Sequence, residues 1–280
     1  VRSAVERFIR EDLGRGDRTS KLVLKGETGI GRIIAKERGI LAGIPEACAV
    51  FRLLGARPRP LRKDGAEVVP GLPVLEIRGA AWALLAGERL ALNFLMQMSG
   101  IATATAALVR RVHAVNPGAE VAATRKTTPG FRTFEKRAVT IGGGVPHRMR
   151  LDSAILIKDN HIRAVGSLEE ALKRALARRS RREPIEVEVE RAAEAARAAR
   201  LGADWLLLDN MTPREARKAA EAARAVRPQI RIEISGGLTE RTIAKYAAFA
   251  DRLSVGALTH SAKSLDFSME LTPARSSRPS

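Results

Sequence analysis

The chain has 280 residues, 45% of them hydrophobic, and its Lys and Arg (49) exceed its Asp and Glu (31) by 18. That is apolar material for one large domain or two medium ones, and a single cysteine, Cys48, excludes an intramolecular disulfide framework and a multi-cysteine metal site. No run of 18 apolar residues marks a membrane span, while the basic balance points to anionic partners: nucleic acid, a membrane surface, or small polyanions.

The opening VRSAVERFIREDLGRGD is too charged for the apolar core of a signal peptide, so the chain is read as soluble and cytoplasmic. Residues 26–43 (GETGIGRIIAKERGILAG) read as a pair of strands around glycines. PEACAVFRLLG is a short amphipathic helix that buries Cys48. DGAEVVPGLPVLEIRG has turn signals and strand-like runs. A long helical stretch follows over 82–115, with Ser99-Gly100 expected to break it. These features are α+β in character. They place an N-terminal domain over 1–103, with the tail 265–280 packing back on it, and a second domain over 104–264.

The second domain opens on a basic stretch: nine Lys or Arg against three Asp or Glu between Thr124 and Arg163. ATRKTTPGFR puts Arg125 and Lys126 at a strand end before a Pro-Gly turn. GGGVPHRMR puts His147 and Arg148 after three glycines. AILIK (154–158) is a strand ending in Lys158. A helix is expected from the N-cap Ser167, with Glu169 and Glu170 in its first turn. IEVEVE (185–190) alternates with period two. A helix stopped by Gly202 precedes the buried strand DWLLLDN. PREARKAAEAARAV is a helix, RIEISGG a strand, LTERTIAKYAAF a helix and DRLSVGA a last strand. The strands recur about every 20–25 residues, the spacing of a βα unit. Their ends carry Lys158, Glu188, Asp209, Ser235-Gly236-Gly237 and Gly256, which favours a barrel over a doubly wound sheet, because barrel strand ends converge on one mouth.

Each candidate has an ordinary reading beside its chemical one. Three glycines make a flexible loop, a strand-end lysine is often structural, and Glu188 can be an exposed residue of an alternating strand shared with Glu186 and Glu190. His113 reads as solvated helix surface, whereas His260 follows a strand. The combination is more specific. One mouth would hold several cations, two carboxylates and glycine-rich turns suited to phosphate. Glu188 and Asp209 suit Mg²⁺, which prefers oxygen ligands. Two rival readings are an aldolase using Lys158 as a Schiff base and a nucleic-acid-binding protein; only 4% of residues are aromatic and no nucleic-acid motif appears, which disfavours the second.

The motifs ERLALNFLMQMSGIATAT, TRKTTPGFRTFEKRAV, GGGVPHR, LIKDNHI, EVEVE, LLLDNM, EISGGL and VGALTHS run from Glu88 to Ser261. In type and order they resemble those of the quinolinate phosphoribosyltransferases, or carboxylating nicotinate-nucleotide pyrophosphorylases. The opening EDLGRGDRTS resembles the family's first segment. The resemblance implies an N-terminal α+β sandwich domain and an incomplete (β/α) TIM-like barrel. It also implies transfer of phosphoribose from 5-phosphoribosyl-1-diphosphate to quinolinate with decarboxylation, a step of NAD biosynthesis. On the same ground Arg125, Lys126, His147, Arg148 and Lys158 would be quinolinate-binding cations, and Glu188 and Asp209 the acidic pair near ribose and Mg²⁺. Ser235, Gly236, Gly237 and Gly256 would be phosphate loops, with His260 nearby. Lys126, Lys158, Glu188 and Asp209 would be catalytic. Arg89 would reach a partner's site in a homodimer or a hexamer of dimers. No organic cofactor, nucleic acid or membrane is implied. The chain departs from the family's Lys-Tyr-Ala-Val at Lys136-Arg137-Ala138-Val139, and carries the more basic Met149-Arg150 after Arg148.

Overall fold

A computed structural model describes residues 2–180 and 183–274. The chain divides into two compact units, Val1–Ala104 with Ala262–Ser280, and Thr105–Ser261.

The first unit carries helices α1 (Arg2–Leu13), α2 (Arg18–Val23) and α3 (Ile44–Leu53) and strands β1 (Thr28–Ala35), β2 (Gly39–Ile40), β3 (Arg57–Pro60), β4 (Glu67–Val68) and β5 (Pro73–Ala80). Helix α4 (Ala81–His113) follows, and the last strand, β12 (Phe267–Pro273), returns to this unit. Its main sheet is antiparallel in the order β12-β1-β5-β3. The two glycine-flanked strands expected to pair do not: β1 lies between β12 and β5, and β2 pairs with β4. The strand that takes the place beside β1 is β12, whose FSMELTP alternates apolar and polar residues but lies more than 220 residues further along the chain. Residues 275–280 of the expected packed tail lie outside the described residues. Part of the basic excess is spent here: buried Glu76 faces Arg32, Arg59 and Arg78 at 3.1–3.3 Å.

Helix α4 runs unbroken through Ser99-Gly100. Ser99 Oγ accepts the N–H of Ala42 at 2.9 Å and donates to its carbonyl at 3.1 Å, so the hydroxyl does not compete with the helix backbone. Gly100 serves a close approach. A Cβ there would sit 2.1 Å from the carbonyl oxygen of Lys263. By length and composition α4 could cross a membrane, but 56% of its apolar window is buried in the fold, as a core helix requires.

The second unit holds strands β6 (Glu120–Ala122), β7 (Ile155–Ile157), β8 (Ile185–Val189), β9 (Trp205–Asp209), β10 (Arg231–Ser235) and β11 (Arg252–Ser254). Between and after them run α5 (Arg132–Ile141), α6 (Asp159–Val165), α7 (Leu168–Arg178), α8 (Ala192–Leu201), α9 (Pro213–Val226), α10 (Ala244–Ala247) and α11 (Ala257–His260). The strands form one parallel sheet in the order β6-β11-β10-β9-β8-β7, with Val145 bridging the free edge of β6. It is a barrel left open between its edge strands, β6 and β7. Residues such as Val187, Leu206, Leu208, Ile232 and Ile234 are buried with the alanine-rich faces of α8 and α9. The helix expected over 238–249 shrinks to one turn, because Thr239 and Thr242 bond each other and fold that segment into turns.

Candidate active site

The parallel register fixes which side chains share the barrel interior. Glu186, Glu188 and Glu233 lie inward and are buried, with only Glu190 exposed, so the exposed-strand reading of β8 fails. Leu207 pairs with both Glu188 and Glu233 across the sheet, and Asp209 pairs with Ser235 one step nearer the carboxyl ends.

At those ends lies a cavity of about 670 Å³. Arg125, Lys126, His147, Arg148, Lys158, Glu188, Asp209, Ser235, Gly236, Gly237, Gly256 and His260 all line it, with Glu233, Ser254 and Thr239 added to that set. Arg89 does not; it is exposed on α4 in the first unit. Glu233 was passed over in the sequence, although its inward phase in RIEISGG, two residues before Ser235, was readable.

One arc of the wall is cationic. Lys158 Nζ forms an ion pair with Glu188 Oε2. Lys126 runs over Gly256, where a Cβ would meet its Cδ at 3.1 Å and His260 Nε2 at 3.2 Å. Its carbonyl is held by Thr259 Oγ1 at 2.6 Å. Arg125 Nε is buried and has no hydrogen-bond partner among the described residues. Burial and the charge of Arg125 lower the pKa of Arg148. Two guanidiniums that destabilise each other in a partly dry cavity make a site for an anion.

The opposite arc is acidic and glycine-rich. Asp209 Oδ2 accepts from Asn210 Nδ2 at 2.6 Å, and Asn210 is left-handed (φ 54°). Gly236, also left-handed at φ 92°, packs against it; a Cβ would lie 2.1 Å from Asn210 Oδ1. Backbone N–H groups can therefore approach a ligand beyond β10, as phosphate loops do.

Helix α5, which the sequence reading missed, pins the two basic loops. Its residues Arg132, Glu135 and Lys136 stand on one face. Arg132 donates to Thr127 Oγ1 at 2.8 Å and to the Met149 carbonyl at 3.1 Å. Glu135 accepts the Thr128 N–H at 3.1 Å. Lys136, 1% exposed, donates to the carbonyls of Pro146 and Arg148, both at 2.5 Å. Burial, then the nearby arginines, push its pKa down to about 8. Gly144 does not provide flexibility: a Cβ there would meet the Val121 carbonyl and Val139 at 2.8 Å and Thr105 at 2.9 Å. The basic turn is therefore stitched to the β6 edge and to α5.

Beneath the mouth, His147 is held in a left-handed conformation (φ 52°). Its Nδ1 accepts the Arg148 N–H at 2.7 Å and its Nε2 faces Glu233 Oε2 at 3.1 Å and Glu186 Oε2 at 3.7 Å. Burial and the adjacent Glu233 raise the pKa of Glu186 strongly, whereas the His147, Ser254 and Arg252 contacts hold Glu233 low against its own desolvation. Ligand atoms of His147, Glu186 and Glu233 lie within 4.8 Å of one another, close enough for a metal ion. Arg252, at 3.3 Å from Glu233 Oε2, already supplies the positive charge there, which disfavours a second cation.

Family models for quinolinate phosphoribosyl transferase match both parts of the chain, the N-terminal domain over residues 17–99 and the C-terminal domain over 101–270. The chain is 47% identical over 242 residues to a probable nicotinate-nucleotide pyrophosphorylase [carboxylating] of Archaeoglobus fulgidus, covering 85% of this chain and 93% of that protein. It is 39% identical over 268 residues to the human nicotinate-nucleotide pyrophosphorylase [carboxylating], covering 95% and 90%. The crystal structure of NadC from Streptococcus pyogenes superposes with a TM-score of 0.90 at 40% identity, covering 97% of this chain and 96% of that one. This chain belongs to the quinolinate phosphoribosyltransferase family.

Proposed function

We propose that this chain transfers phosphoribose from 5-phosphoribosyl-1-diphosphate to quinolinate with decarboxylation, giving nicotinate mononucleotide, diphosphate and CO₂. The observation that carries this is the division of one cavity into a cationic arc and an acidic, glycine-rich arc. Arg125, Lys126, Arg148 and Lys158 bind and orient the two carboxylates of the acid. Ser235, Gly236, Gly237 and Gly256, with His260 beside Lys126, hold the phosphates of the donor. The pyridine nitrogen attacks ribose C1 as diphosphate leaves; Glu188 and Asp209 stabilise the positive charge that develops on the ribose. The nitrogen, now a pyridinium, accepts the electron pair left when the adjacent carboxylate departs as CO₂, and that carbon then takes a proton. The substrate is its own electron sink, so no organic cofactor is called for.

Glu188 and Asp209 offer hard oxygen donors on adjacent strands, a donor set that fits Mg²⁺. When bound with the donor, Mg²⁺ would neutralise diphosphate charge. The same reading makes the protein a cytoplasmic homodimer, or a hexamer of dimers, in which exposed Arg89 completes a partner's cavity. It assigns residues 1–103 and the tail to an N-terminal α+β domain and 104–264 to the phosphoribosyltransferase domain. The rival Schiff-base reading of Lys158 is set aside, because both parts of the chain match the quinolinate phosphoribosyl transferase family.

The test is nicotinate mononucleotide formation from quinolinate, with nicotinate as the competing acid. Preference for nicotinate overturns the reading. Arg125→Ala should raise the quinolinate KM by about 100-fold and alter the donor KM far less, since a bidentate charged contact is lost. Equal losses on both substrates would remove Arg125 from the acid subsite.

A further inference from the structure

The family resemblance casts His147 as a cation for the acid substrate. The geometry points elsewhere. A backbone N–H can only donate, so the 2.7 Å contact from Arg148 N makes Nδ1 an acceptor without a proton. The ring proton then resides on Nε2, which donates to Glu233 Oε2 at 3.1 Å. Both ring nitrogens are engaged inside the protein, and neither is left to meet a carboxylate in the cavity.

Glu233 is built to hold that ring. It is 1% exposed, and its Oε1 accepts from Ser254 Oγ at 2.6 Å while Arg252 Nη1 reaches Oε2 at 3.3 Å. Strand β10 fixes its height in the barrel, and β11 supplies both supports. On the other side Lys136 holds the carbonyls flanking His147. A non-glycine residue in the left-handed region is strained and persists only where its surroundings enforce it.

We propose that Glu233 and His147 form a positioning unit for Arg148, running from the Glu233 carboxylate through the Nε2–H tautomer of His147 to the Arg148 backbone N–H, and that His147 is not itself a ligand of the acid. The unit sets the direction in which the Arg148 guanidinium enters the cavity. Its consequence for quinolinate rests on the function proposed above; the tautomer and the pairing do not.

The experiment is a long-range ¹H–¹⁵N correlation of the histidine rings in the full chain, with His147 assigned by its loss in His147→Gln. The expected spectrum has His147 in the Nε2–H form, unchanged when quinolinate is added. A ring protonated on Nδ1, or one that changes on binding quinolinate, overturns the proposal. The wild-type spectrum decides this whether or not any Glu233 variant folds. Kinetics supply the second arm. Glu233→Met should raise the quinolinate KM about 10- to 100-fold, the range for a lost supporting hydrogen bond. Glu233→Gln, which keeps an acceptor oxygen, should recover most of it. In an Arg148→Ala background Glu233→Met should add little, because both act through one guanidinium. Additive effects would overturn the coupling. An Nε2–H ring in a wild-type protein that does not use quinolinate would instead sink the proposed substrate and leave the pairing standing.

Discussion

Gly144→Ala tests whether the basic loop is held by packing. The added Cβ meets three atoms at 2.8–2.9 Å, well inside ordinary contact. Two belong to side chains, Val139 Cγ1 and Thr105 Cγ2, which can give a few tenths of an ångström. The third is the Val121 carbonyl, which accepts the Val145 N–H at 2.8 Å and cannot retreat without loosening the loop from β6. Overpacking of this kind costs about 1–3 kcal/mol, or a Tm fall of roughly 3–9 °C for a unit of this size. Val145 should swing outward, carrying His147 and Arg148, and misplacement by about 1 Å can cost on the order of 100-fold. Gly143→Ala is the control: its φ of 88° makes any side chain strained, yet a Cβ there meets nothing closer than 3.7 Å. It should lower Tm by a few degrees and leave the quinolinate KM near wild type. Thermal unfolding and initial rates with each substrate varied in turn check both. Equal quinolinate KM values for the two variants, or a Gly144→Ala protein with unchanged Tm, would refute the packing argument.

Two further outcomes follow from buried titratable groups. Lys136 is lowered in the folded state to about 8 from 10.5. Below about pH 8 both states hold the proton and Lys136 contributes no pH dependence; between about 8 and 10.5 the unfolded chain binds a proton the folded chain lacks, so stability rises with pH, by up to about 3 kcal/mol. The difference in urea midpoint between wild type and Lys136→Met should change over this window, and a constant difference would count against it. Cys48 is 2% exposed, and burial pushes its thiol up to about 11. Native protein should resist iodoacetamide at pH 8 and react only on unfolding; alkylation of the native protein at the unfolded rate would contradict that burial.

The fold was legible where periodicity and strand ends agreed. The parallel strands from AILIK to DRLSVGA announce themselves because both faces of a barrel strand need consistent residues. What stayed hidden has physical causes. Period two in IEVEVE looks the same whether the glutamates face water or a polar barrel interior, and only the neighbouring strands decide. RTFEKRAV has four charges in eight residues and shows no clear apolar stripe, yet its Arg132, Glu135 and Lys136 face the two basic loops, which present carbonyls, an N–H and a hydroxyl that need partners. The GGG run reads as slack, whereas Gly144 is packed tightly against Val121, Val139 and Thr105. Ser99-Gly100 reads as a break, whereas it is where another segment crosses the helix.

The two arcs of the cavity are held by different means, and they should fail differently. Glu188, Asp209 and Ser235 belong to β8, β9 and β10, so their spacing is set by the register of a continuous parallel ladder. Displacing one means shifting a strand against its neighbours. Arg125, Lys126 and Arg148 lie on loops at the open edge of the barrel, where the ladder has ended. Their positions depend on side-chain bonds from α5, α11 and β11: Lys136 and Arg132 of α5 and Thr259 of α11 on the loop backbones and Thr127 Oγ1, and Ser254 of β11 through Glu233 and His147. A loop held by six or so side-chain hydrogen bonds, each worth about 1–3 kcal/mol when charged or buried, can open without unfolding the barrel. Substitutions in those supports should therefore act on binding of the acid while the donor subsite stays intact. Substitutions that disturb the strand ladder should lower both together.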